Sequence, residues 1–337
     1  MRSRTVEKPH NTLRYHLLFE EPGVKFLWQF AWGLTSQALV TEQMWISRDD
    51  EAPRRIARFE RKAGIRVQTG DEIKGITSPG TIFSILHPSI VTDEHEIVSR
   101  AIDWCARITS LELLSPVAMR GNARGSQKGI GTRGQRLSGF LAALDAKTKA
   151  RIVDRLSNFY PLDSLNTTKK KAGWVDLRIS EAYGLGPISA QHLSDGFLRL
   201  LALCAIPEFG SRSSMVLLDE IEDGIEPHIL PRLIERIVSD SSAQFVMTSH
   251  SPLLINFFES ESVTLVTRDQ DGRSRFTAVN DLDVIRQGLE YLGPGEIWAN
   301  AGLSTLNEQA VAAHANDPPA EVNKFTEEWA SYFMGGN

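Results

Sequence analysis

The stretch MVLLDEIEDGIEP, residues 215–227, decides the fold class of this 337-residue chain. Its apolar start ends in two adjacent carboxylates, Asp219 and Glu220, which is typical of a buried strand with a polar site at its carboxyl end. Two further short apolar runs, QFVMT at 244–248 and VTLVT at 263–267, alternate with segments of helical spacing. This alternation predicts a parallel α/β sheet.

Two neighbouring carboxylates at such an edge have a chemical use. Asp219 can hold Mg²⁺, and Glu220 can polarise a water molecule that attacks a phosphate. The alternative is a strand that merely ends in acidic turn residues. Taken alone, the segment supports both interpretations equally.

Two other segments place candidate residues near that edge. QFVMTSHSP at 244–252 predicts another buried strand, which would deliver His250 to the same edge, although a lone histidine is usually a surface residue without function. Upstream, LSDGFLRLLAL at 193–203 predicts a helix that Ser194 caps and whose Gly196 permits close backbone approach. A helix start of this kind can bind an anion, or it can simply be a capped core helix.

The order and spacing of the three segments resemble those of ABC-type ATPases. LSDGFLRLLAL is similar to the ABC signature, LLDEIEDGIEP to Walker B with its D-loop, and MTSHSP to the switch-histidine loop. Over residues 80–300 the chain resembles the AAA_21/AAA_15 group of ATPases, which are relatives of the RecF, SMC and OLD nuclease ATPases. YLGPGEIW at 291–298 is similar to a Gly-Glu-Leu-Trp element near the end of such proteins.

The resemblance implies an α/β fold with a P-loop NTPase-like (ABC ATPase) sheet, a helical middle lobe, and a dimer that binds ATP and Mg²⁺. It also implies the role of each site residue. Across the dimer, the nucleotide would be contacted by Ser194, by Asp195, which replaces the first glycine of the usual signature, and by Gly196. Asp219 would serve Mg²⁺, Glu220 would be the general base, His250 the γ-phosphate sensor, and Asp223 part of the D-loop.

A phosphate-binding loop, G-x-x-x-x-G-K-[ST], does not occur in the sequence. GIGTRGQR at 129–136 keeps the glycine spacing, but Gln135 and Arg136 stand where Lys and Ser/Thr belong, and neither can supply a hydroxyl ligand to Mg²⁺. The resemblance therefore implies that the N-terminal P-loop strand and helix, about 50 residues, are missing from this reading frame. Truncation, gene splitting or a misplaced start would each explain this, and a partner ATPase would then supply the loop.

Composition bounds the other functions. The net charge of −5 argues against a globally basic nucleic-acid binder. Cys105 and Cys204 have neither zinc spacing nor the density of a disulfide scaffold, which predicts a reducing cytoplasm. Neither a secretion signal nor a run of about 20 apolar residues is evident, so we expect no membrane span.

The chain is predicted to contain four parts. They are a β-rich part of the ATPase lobe at 1–85 with a hairpin at its Glu-Glu-Pro-Gly turn, a helical lobe at 86–175, the ATPase core at 176–270, and an α/β tail at 271–337. Helices are expected within 94–114 and 137–156. Between them, the Gly-rich and cationic residues 120–136 predict a mobile loop.

Three functions compete. The first is an ATPase subunit, and the second is a degenerate, non-hydrolysing interaction module that would have no need to keep Asp219, Glu220 and His250. The third is nucleic-acid binding through the cations of the 120–136 loop, which lacks an aromatic residue for base stacking and could equally be a solvated loop. Those cations are Arg120, Arg124, Lys128, Arg133 and Arg136. We find no appended nuclease pattern, so any effector is expected to be a separate protein.

Overall fold

The computed structural model describes residues 12–48, 51–60, 64–67, 72–73, 80–84, 86–112, 114–124, 129–184, 186–268, 274–289 and 291–315. These residues belong to two compact units, one within 1–106 and one within 107–315. Neither unit coincides with one of the four parts expected above, so that division stays a prediction.

The first unit is built on an antiparallel sheet whose strands follow sequence order. The strands are β1 (Thr12–Glu21), β2 (Val24–Gly33), β3 (Ala38–Arg48), β4 (Arg54–Glu60), β5 (Gly64–Val67) and β6 (Glu72–Ile73), followed by helices α1 (Pro88–Val91) and α2 (His95–Ala106). The predicted hairpin is confirmed, since Glu21 pairs with Val24 across the turn and Gly23 has a φ of 76°. Apolar side chains from alternate strand positions pack with α2 residues such as Ile97 and Val98.

The second unit combines three sheets with helices. Its strands are β7 (Ile108–Leu111), β8 (Leu162–Lys169), β9 (Val175–Glu181), β10 (Pro187–Ser189), β11 (Met215–Leu218), β12 (Gln244–Met247), β13 (Thr264–Arg268) and β14 (Ser274–Ala278). Its helices are α3 (Pro116–Met119), α4 (Leu137–Ala143), α5 (Ala146–Ser157), α6 (Asp195–Ala205), α7 (Leu230–Ser239), α8 (Pro252–Phe257), α9 (Asp283–Gly288), α10 (Pro294–Asn300) and α11 (Leu303–Ala315). Among the described strands, the sheet orders are β12-β11-β7, β10-β9-β8 and β13-β14.

The parallel sheet of the second unit is formed by β7, β11 and β12. Helix α6 packs into the same core and is buried along most of its length, from Phe197 to Ala205. Helix α7 adds Leu233, Ile234 and Ile237 to that core. The core therefore fixes both the strand ends and the start of α6 within one packed unit.

Four expectations about local structure need correction. The helix expected over 94–114 ends at Ala106, because ITSL, which begins with two β-branched residues, forms β7 beside β11. The 137–156 helix is two helices, α4 and α5, since Asp145 caps α5. Strand β12 is half-exposed rather than buried, with Val246 exposed at one edge of the described sheet. VTLVT is not part of the parallel sheet, because β13 pairs antiparallel with β14, the next strand in sequence.

The mobility expected for the loop at 120–136 stays a prediction. Within it, residues 129–136 form turns held by backbone hydrogen bonds, such as Arg136 N–H to Ile130 O at 2.8 Å. Ile130 anchors them because it is fully buried in the core of the second unit. Residues 125–128, including Lys128, lie outside the described residues.

Candidate functional site

The candidate site lies at the carboxyl edge of the β12-β11-β7 sheet. Leu218 at the end of β11 is level with Leu111 of β7 and Met247 of β12, so the residues after each strand meet at one edge. Backbone hydrogen bonds extend the pairing past the strands, from Thr248 N to Leu218 O at 2.9 Å and from Asp219 N to Leu111 O at 3.2 Å. The structure therefore brings the predicted Walker B and switch-histidine segments side by side.

Thr248 connects the two carboxylate-bearing residues at this edge. Its hydroxyl donates to Asp219 Oδ1 at 2.6 Å and accepts the backbone N–H of Glu220 at 2.9 Å. Its carbonyl accepts the N–H of Ile221 at 3.2 Å. Asp219 and Glu220 are both exposed residues, so they are held in place and remain open to a ligand.

Glu220 adopts a backbone conformation that non-glycine residues rarely take. Its φ is 48°, in the left-handed region, which costs a non-glycine residue roughly 1–3 kcal/mol. The contacts from Thr248 hold this conformation. Such strain concentrates at functional sites, because there the surrounding structure maintains it for a purpose.

His250 reaches the same edge by way of Glu222. The backbone N–H of His250 donates to Glu222 Oε1 at 2.5 Å, while the histidine itself is exposed. Glu222 Oε2 is buried and has no hydrogen-bond partner within the described residues. Glu222 thus ties the loop after β11 to the loop after β12 and sets where His250 stands.

The predicted signature helix begins beside the loop that follows β11. As predicted, Ser194 caps α6, and its hydroxyl accepts the N–H of Phe197 at 3.2 Å. Gly196 makes the predicted close approach, because a Cβ there would lie 2.9 Å from the carbonyl oxygen of Gly224. Asp195 is ion-paired with Arg120, which also donates to Leu193 O at 2.8 Å.

Arg199 joins α6 to the candidate D-loop. It donates to Leu114 O at 3.1 Å and forms a 2.5 Å ion pair with Asp223. Gly224, with a φ of 64°, leaves room for this guanidinium, because a Cβ there would lie 1.9 Å from Arg199 Nη1. A small cleft is lined by Arg199 together with Asp219, Glu220 and Asp223, so α6 and the carboxylates share one cleft.

The loop GIGTRGQR does not present a phosphate cradle. The side chain of Gln135 lies within the loop, about 2.7 Å from where a Cβ of Gly131 would be, and accepts the N–H of Arg133 at 3.0 Å. Thr132 and Arg133 carbonyls accept N–H groups from Glu112 and Ser115. Gln135 thus fills the turn, and the interpretation of this loop as something other than a P-loop stays a prediction.

The predicted cationic surface is divided among different neighbours. Arg120 is used at the start of α6, and Arg124 stacks over the ring of Trp174 at 4.6 Å from its centroid. Arg133 and Arg136 are exposed in the turn before α4, and Lys128 lies outside the described residues. The four cations that the structure describes therefore have different neighbours and do not form one loop surface.

Metal and thiol chemistry are limited in the described residues. No group of three or more His, Cys, Asp or Glu side chains that could hold a metal occurs among them. A cation at this edge would thus need phosphate and water ligands besides Asp219, which is how Mg²⁺ is usually bound next to nucleotides.

Burial raises the pKa of Cys204 to about 12, so this thiol is not a nucleophile. Within the described ranges, helices long and apolar enough to cross a membrane are absent.

Sequence reasoning missed three residues that organise the site. Thr248 directly follows a strand, and a hydroxyl at that position was a usable signal. Glu222 and Arg199 gave no such signal, because their partners lie 28 and 85 residues away for the bonds to His250 and Leu114. Long-range contacts of this kind emerge only from the folded chain.

The chain matches known proteins in two ways. A family model described as "AAA domain, putative AbiEii toxin, Type IV TA system" (AAA_21) matches residues 17–256. No curated protein gives a match. The matched range includes every residue of the candidate site.

Two solved structures of SMC head domains are also similar. One is the SmcHead bound to the C-winged helix domain of ScpA, at 13% identity, covering 81% of this chain and 76% of that chain, with a TM-score of 0.46. The other is the Smc head domain with an extended coiled coil bound to the C-terminal domain of ScpA, derived from Pyrococcus furiosus, at 10% identity, covering 80% of each chain, with a TM-score of 0.41.

Proposed function

The chain belongs to the AAA_21 family, and from this premise we propose that it binds ATP at the carboxyl edge of the β12-β11-β7 sheet and contributes to ATP hydrolysis. The observation that carries the proposal is the position of Thr248, which bonds both Asp219 and the backbone of Glu220. One hydroxyl thereby positions both acidic residues that an NTPase of this family would use. A strand that merely ended in acidic turn residues would not need this arrangement.

Each edge residue has a role in the proposed reaction. Glu220 is the general base that polarises the attacking water, and its exposed carboxylate beside a strained backbone fits that role. His250 hydrogen-bonds the γ-phosphate from the neighbouring loop, held there by Glu222. Asp219 would hold Mg²⁺, because Thr248 orients its Oδ1 and the residue is exposed at the edge of the sheet. Mg²⁺ would neutralise charge on the phosphates.

The signature helix is proposed to act across a dimer. Ser194, Asp195 and Gly196 start α6, where backbone N–H groups and the helix dipole favour an anion. Asp223 and Gly224 lie against this start, so a change in the D-loop would be felt at the signature through Arg199. The triphosphate contacted here would be bound by the partner protomer.

A P-loop must reach this site from elsewhere. The sequence contains no G-x-x-x-x-G-K-[ST] motif, and Gln135 occupies the turn that comes nearest to it. We therefore propose an ATPase partner, or a further segment of the protein, that supplies the loop to a dimeric assembly. Any effector of that assembly would be a separate protein.

A non-hydrolysing module is the second candidate, and it would keep the fold without turnover. The strained φ of Glu220 favours the enzyme, because a purely structural descendant gains nothing from maintaining that strain. The two candidates differ in one measurement, which is ATP turnover.

The test uses the tagged chain, purified from its native cells with the proteins that accompany it, as wild type and as Glu220→Gln. We expect Mg²⁺-dependent ATP turnover from the wild-type assembly, and at least about 100-fold less from Glu220→Gln, with ATP binding retained. Glu235→Gln, an exposed carboxylate on α7 outside the predicted motifs, is the matched control and should turn over ATP normally. Bound ATP without turnover in the wild type would favour the non-hydrolysing module. Turnover unaffected by Glu220→Gln would contradict the proposed base.

A further inference from the structure

We propose a binding site for single-stranded nucleic acid at the β8–β9 hairpin, centred on Trp174 and separate from the candidate ATP site. Asn122, Lys170, Lys171 and Trp174 line an open concavity of about 730 Å³. Trp174 is 38% exposed, and the guanidinium of Arg124 lies 4.6 Å from the centroid of its ring. An aromatic ring and ammonium groups that share one concavity match a base and its phosphates.

The hairpin connection holds these side chains together. Lys170 N–H donates to Trp174 O at 2.7 Å, and Gly173 N–H donates to Lys170 O at 3.2 Å. Ala172 and Gly173 take consecutive positive φ values of 63° and 78°. A positive φ is unfavourable for alanine, so this tight turn is maintained against local strain, and it places two lysines shortly before the tryptophan.

A second segment, residues 123–124, pairs with the hairpin at Trp174. Residues Arg124 and Trp174 form an antiparallel bridge, and Val175 N–H donates to Ala123 O at 3.0 Å. The backbone of 123–124 thus pairs with the hairpin, which fixes the Arg124 guanidinium over the ring. The aromatic residue that the 120–136 segment lacks in sequence is supplied in space by Trp174.

Positive charge is concentrated at this end of the hairpin. Within residues 169–178 of the sequence the cations are Lys169, Lys170, Lys171 and Arg178, against one carboxylate, Asp176, and Arg124 lies over the Trp174 ring. Asp176 bonds Lys170 at 3.2 Å and Arg178 at 3.0 Å, yet both cations keep half of their side chains exposed. Burial alone would raise the pKa of Asp176, but the hydrogen bonds from Arg178 and Lys170 outweigh it and hold this pKa below its usual value. The carboxylate therefore orients the cations while leaving the end positive.

The opposite end of the same hairpin carries acidic side chains. Glu181 accepts a hydrogen bond from Tyr160, and Asp163 follows the first residue of β8. The separation of charge along one hairpin directs a polyanion to the Trp174 end. An acidic peptide would use the lysines but not the ring, whereas every nucleobase has a face that can stack on it.

The test measures binding of a fluorescein-labelled dT oligomer to the full chain by anisotropy at several salt concentrations. The stacking variant is Trp174→Leu, and its matched control is Tyr183→Leu, an aromatic residue 70% exposed beyond the acidic end of β9. We expect Trp174→Leu to weaken binding by about 5-fold to 100-fold, the range for loss of one stacked base. Tyr183→Leu should leave the affinity unchanged.

The phosphate contribution is tested with Lys170→Gln/Lys171→Gln. This variant should reduce the slope of log affinity against log salt by about 1.4, because each single-strand phosphate contact contributes about 0.7. Arg232→Gln, an exposed cation on α7, is the control and should keep the slope. Trp174→Phe retains a stacking ring and should bind within a few-fold of wild type, which separates loss of stacking from misfolding.

Several results would overturn the proposal. These are no binding of the oligomer at low salt, equal affinity of wild type and Trp174→Leu, or equally weak binding by Trp174→Phe and Trp174→Leu. Binding of dTMP as tight as that of the oligomer would exclude a strand and indicate a free-nucleotide site. If polyglutamate displaced the oligomer equally well from wild type and from Trp174→Leu, the site would be a general polyanion surface. None of these outcomes depends on ATP turnover.

Discussion

Thr248 donates a 2.6 Å hydrogen bond to Oδ1 of Asp219, and this contact joins the ends of two adjacent parallel strands. The hydroxyl oxygen of Thr248 also accepts the N–H of Glu220, which has a positive φ. A single hydroxyl therefore controls both the orientation of one carboxylate and the backbone of the next. The proposed ATP site depends on this threonine although it would not itself take part in the chemistry.

Thr248→Val tests that dependence. Valine keeps the shape of the side chain but cannot donate to Asp219 or accept from Glu220, so we expect ATP turnover of the active assembly to fall about 10- to 100-fold. Thr248→Ser keeps the hydroxyl and should restore most of the rate. Steady-state turnover at saturating ATP, with Mg²⁺ titrated, measures both variants. Equal rates for valine and serine would show that the hydroxyl does not position the carboxylates.

Gly196→Ala tests the contact between the start of α6 and the loop that follows β11. The new Cβ would lie 2.9 Å from the carbonyl oxygen of Gly224, so we expect a loss of about 1–3 kcal/mol in the free energy of unfolding. Without that contact, alanine inside a helix would instead stabilise by up to about 1 kcal/mol. The sign of the change in the free energy of unfolding therefore shows whether the contact with Gly224 exists.

The matched control for this substitution is Gly129→Ala. A Cβ at Gly129 meets no atom of the described residues within 4 Å, so we expect a change within about 0.5 kcal/mol. Urea unfolding followed by circular dichroism gives both values. A Gly196→Ala protein more stable than wild type would contradict the described packing of α6 on Gly224.

Replacing Arg199 is expected to lower the free energy of unfolding more than replacing Asp223, the other partner of the ion pair. Arg199→Met removes the bond to Leu114 O as well as the pair, and should cost about 1.5–3 kcal/mol. Asp223→Asn should cost less than about 1 kcal/mol, because the Asp223 side chain is 40% exposed. Urea unfolding of both single variants and the double variant gives the coupling free energy. Zero coupling would mean that the pair adds nothing to the free energy of unfolding, contrary to this expectation.

The sequence was most informative where function requires local patterns. The strand that ends in Asp219 and Glu220, the cap at Ser194 and the small residue at Gly196 could all be predicted, since each depends on neighbours in sequence. The approach of His250 to the same edge followed from the parallel pairing of β11 and β12. These features need only strand periodicity and helix capping.

The remaining features depend on contacts distant in sequence. The run ITSL continued a helical pattern in sequence, yet it pairs with β11 because that placement completes the parallel sheet. VTLVT has the composition of a central strand, but it pairs antiparallel with β14, the next strand in sequence. The contact between Trp174 and Arg124 could not be predicted from the sequence, because 50 residues separate them. Tertiary packing overrides local propensity at each of these positions.

Glu42 gives the first unit a pH-dependent stability. This buried carboxyl group accepts hydrogen bonds from Trp28 Nε1 at 2.7 Å and Ile82 N at 2.8 Å. Burial raises its pKa to about 7, and the bonds from Ile82 and Trp28 oppose the rise only in part. The folded state thus binds the proton more tightly than the unfolded state, so this group's contribution is complete below pH 4.5 and is lost as the pH rises through 7.

Glu42→Gln isolates that contribution, because glutamine does not ionise. We expect the stability of the variant relative to wild type to increase from pH 5 to pH 8, by at most on the order of 3 kcal/mol. Urea unfolding monitored by tryptophan fluorescence at each pH gives the difference. A difference that does not change with pH would show that Glu42 does not titrate in this range.

The most direct test of the central claim is hydrogen–deuterium exchange of the purified assembly with and without Mg²⁺ and ATP, using Glu220→Gln to prevent turnover. We expect ATP to slow exchange in the peptides that contain residues 219–223 and 248–251, while residues 129–136 stay unchanged. Slower exchange confined to 129–136, with both strand ends unaffected, would contradict the claim that the nucleotide binds at the carboxyl edge of the parallel sheet.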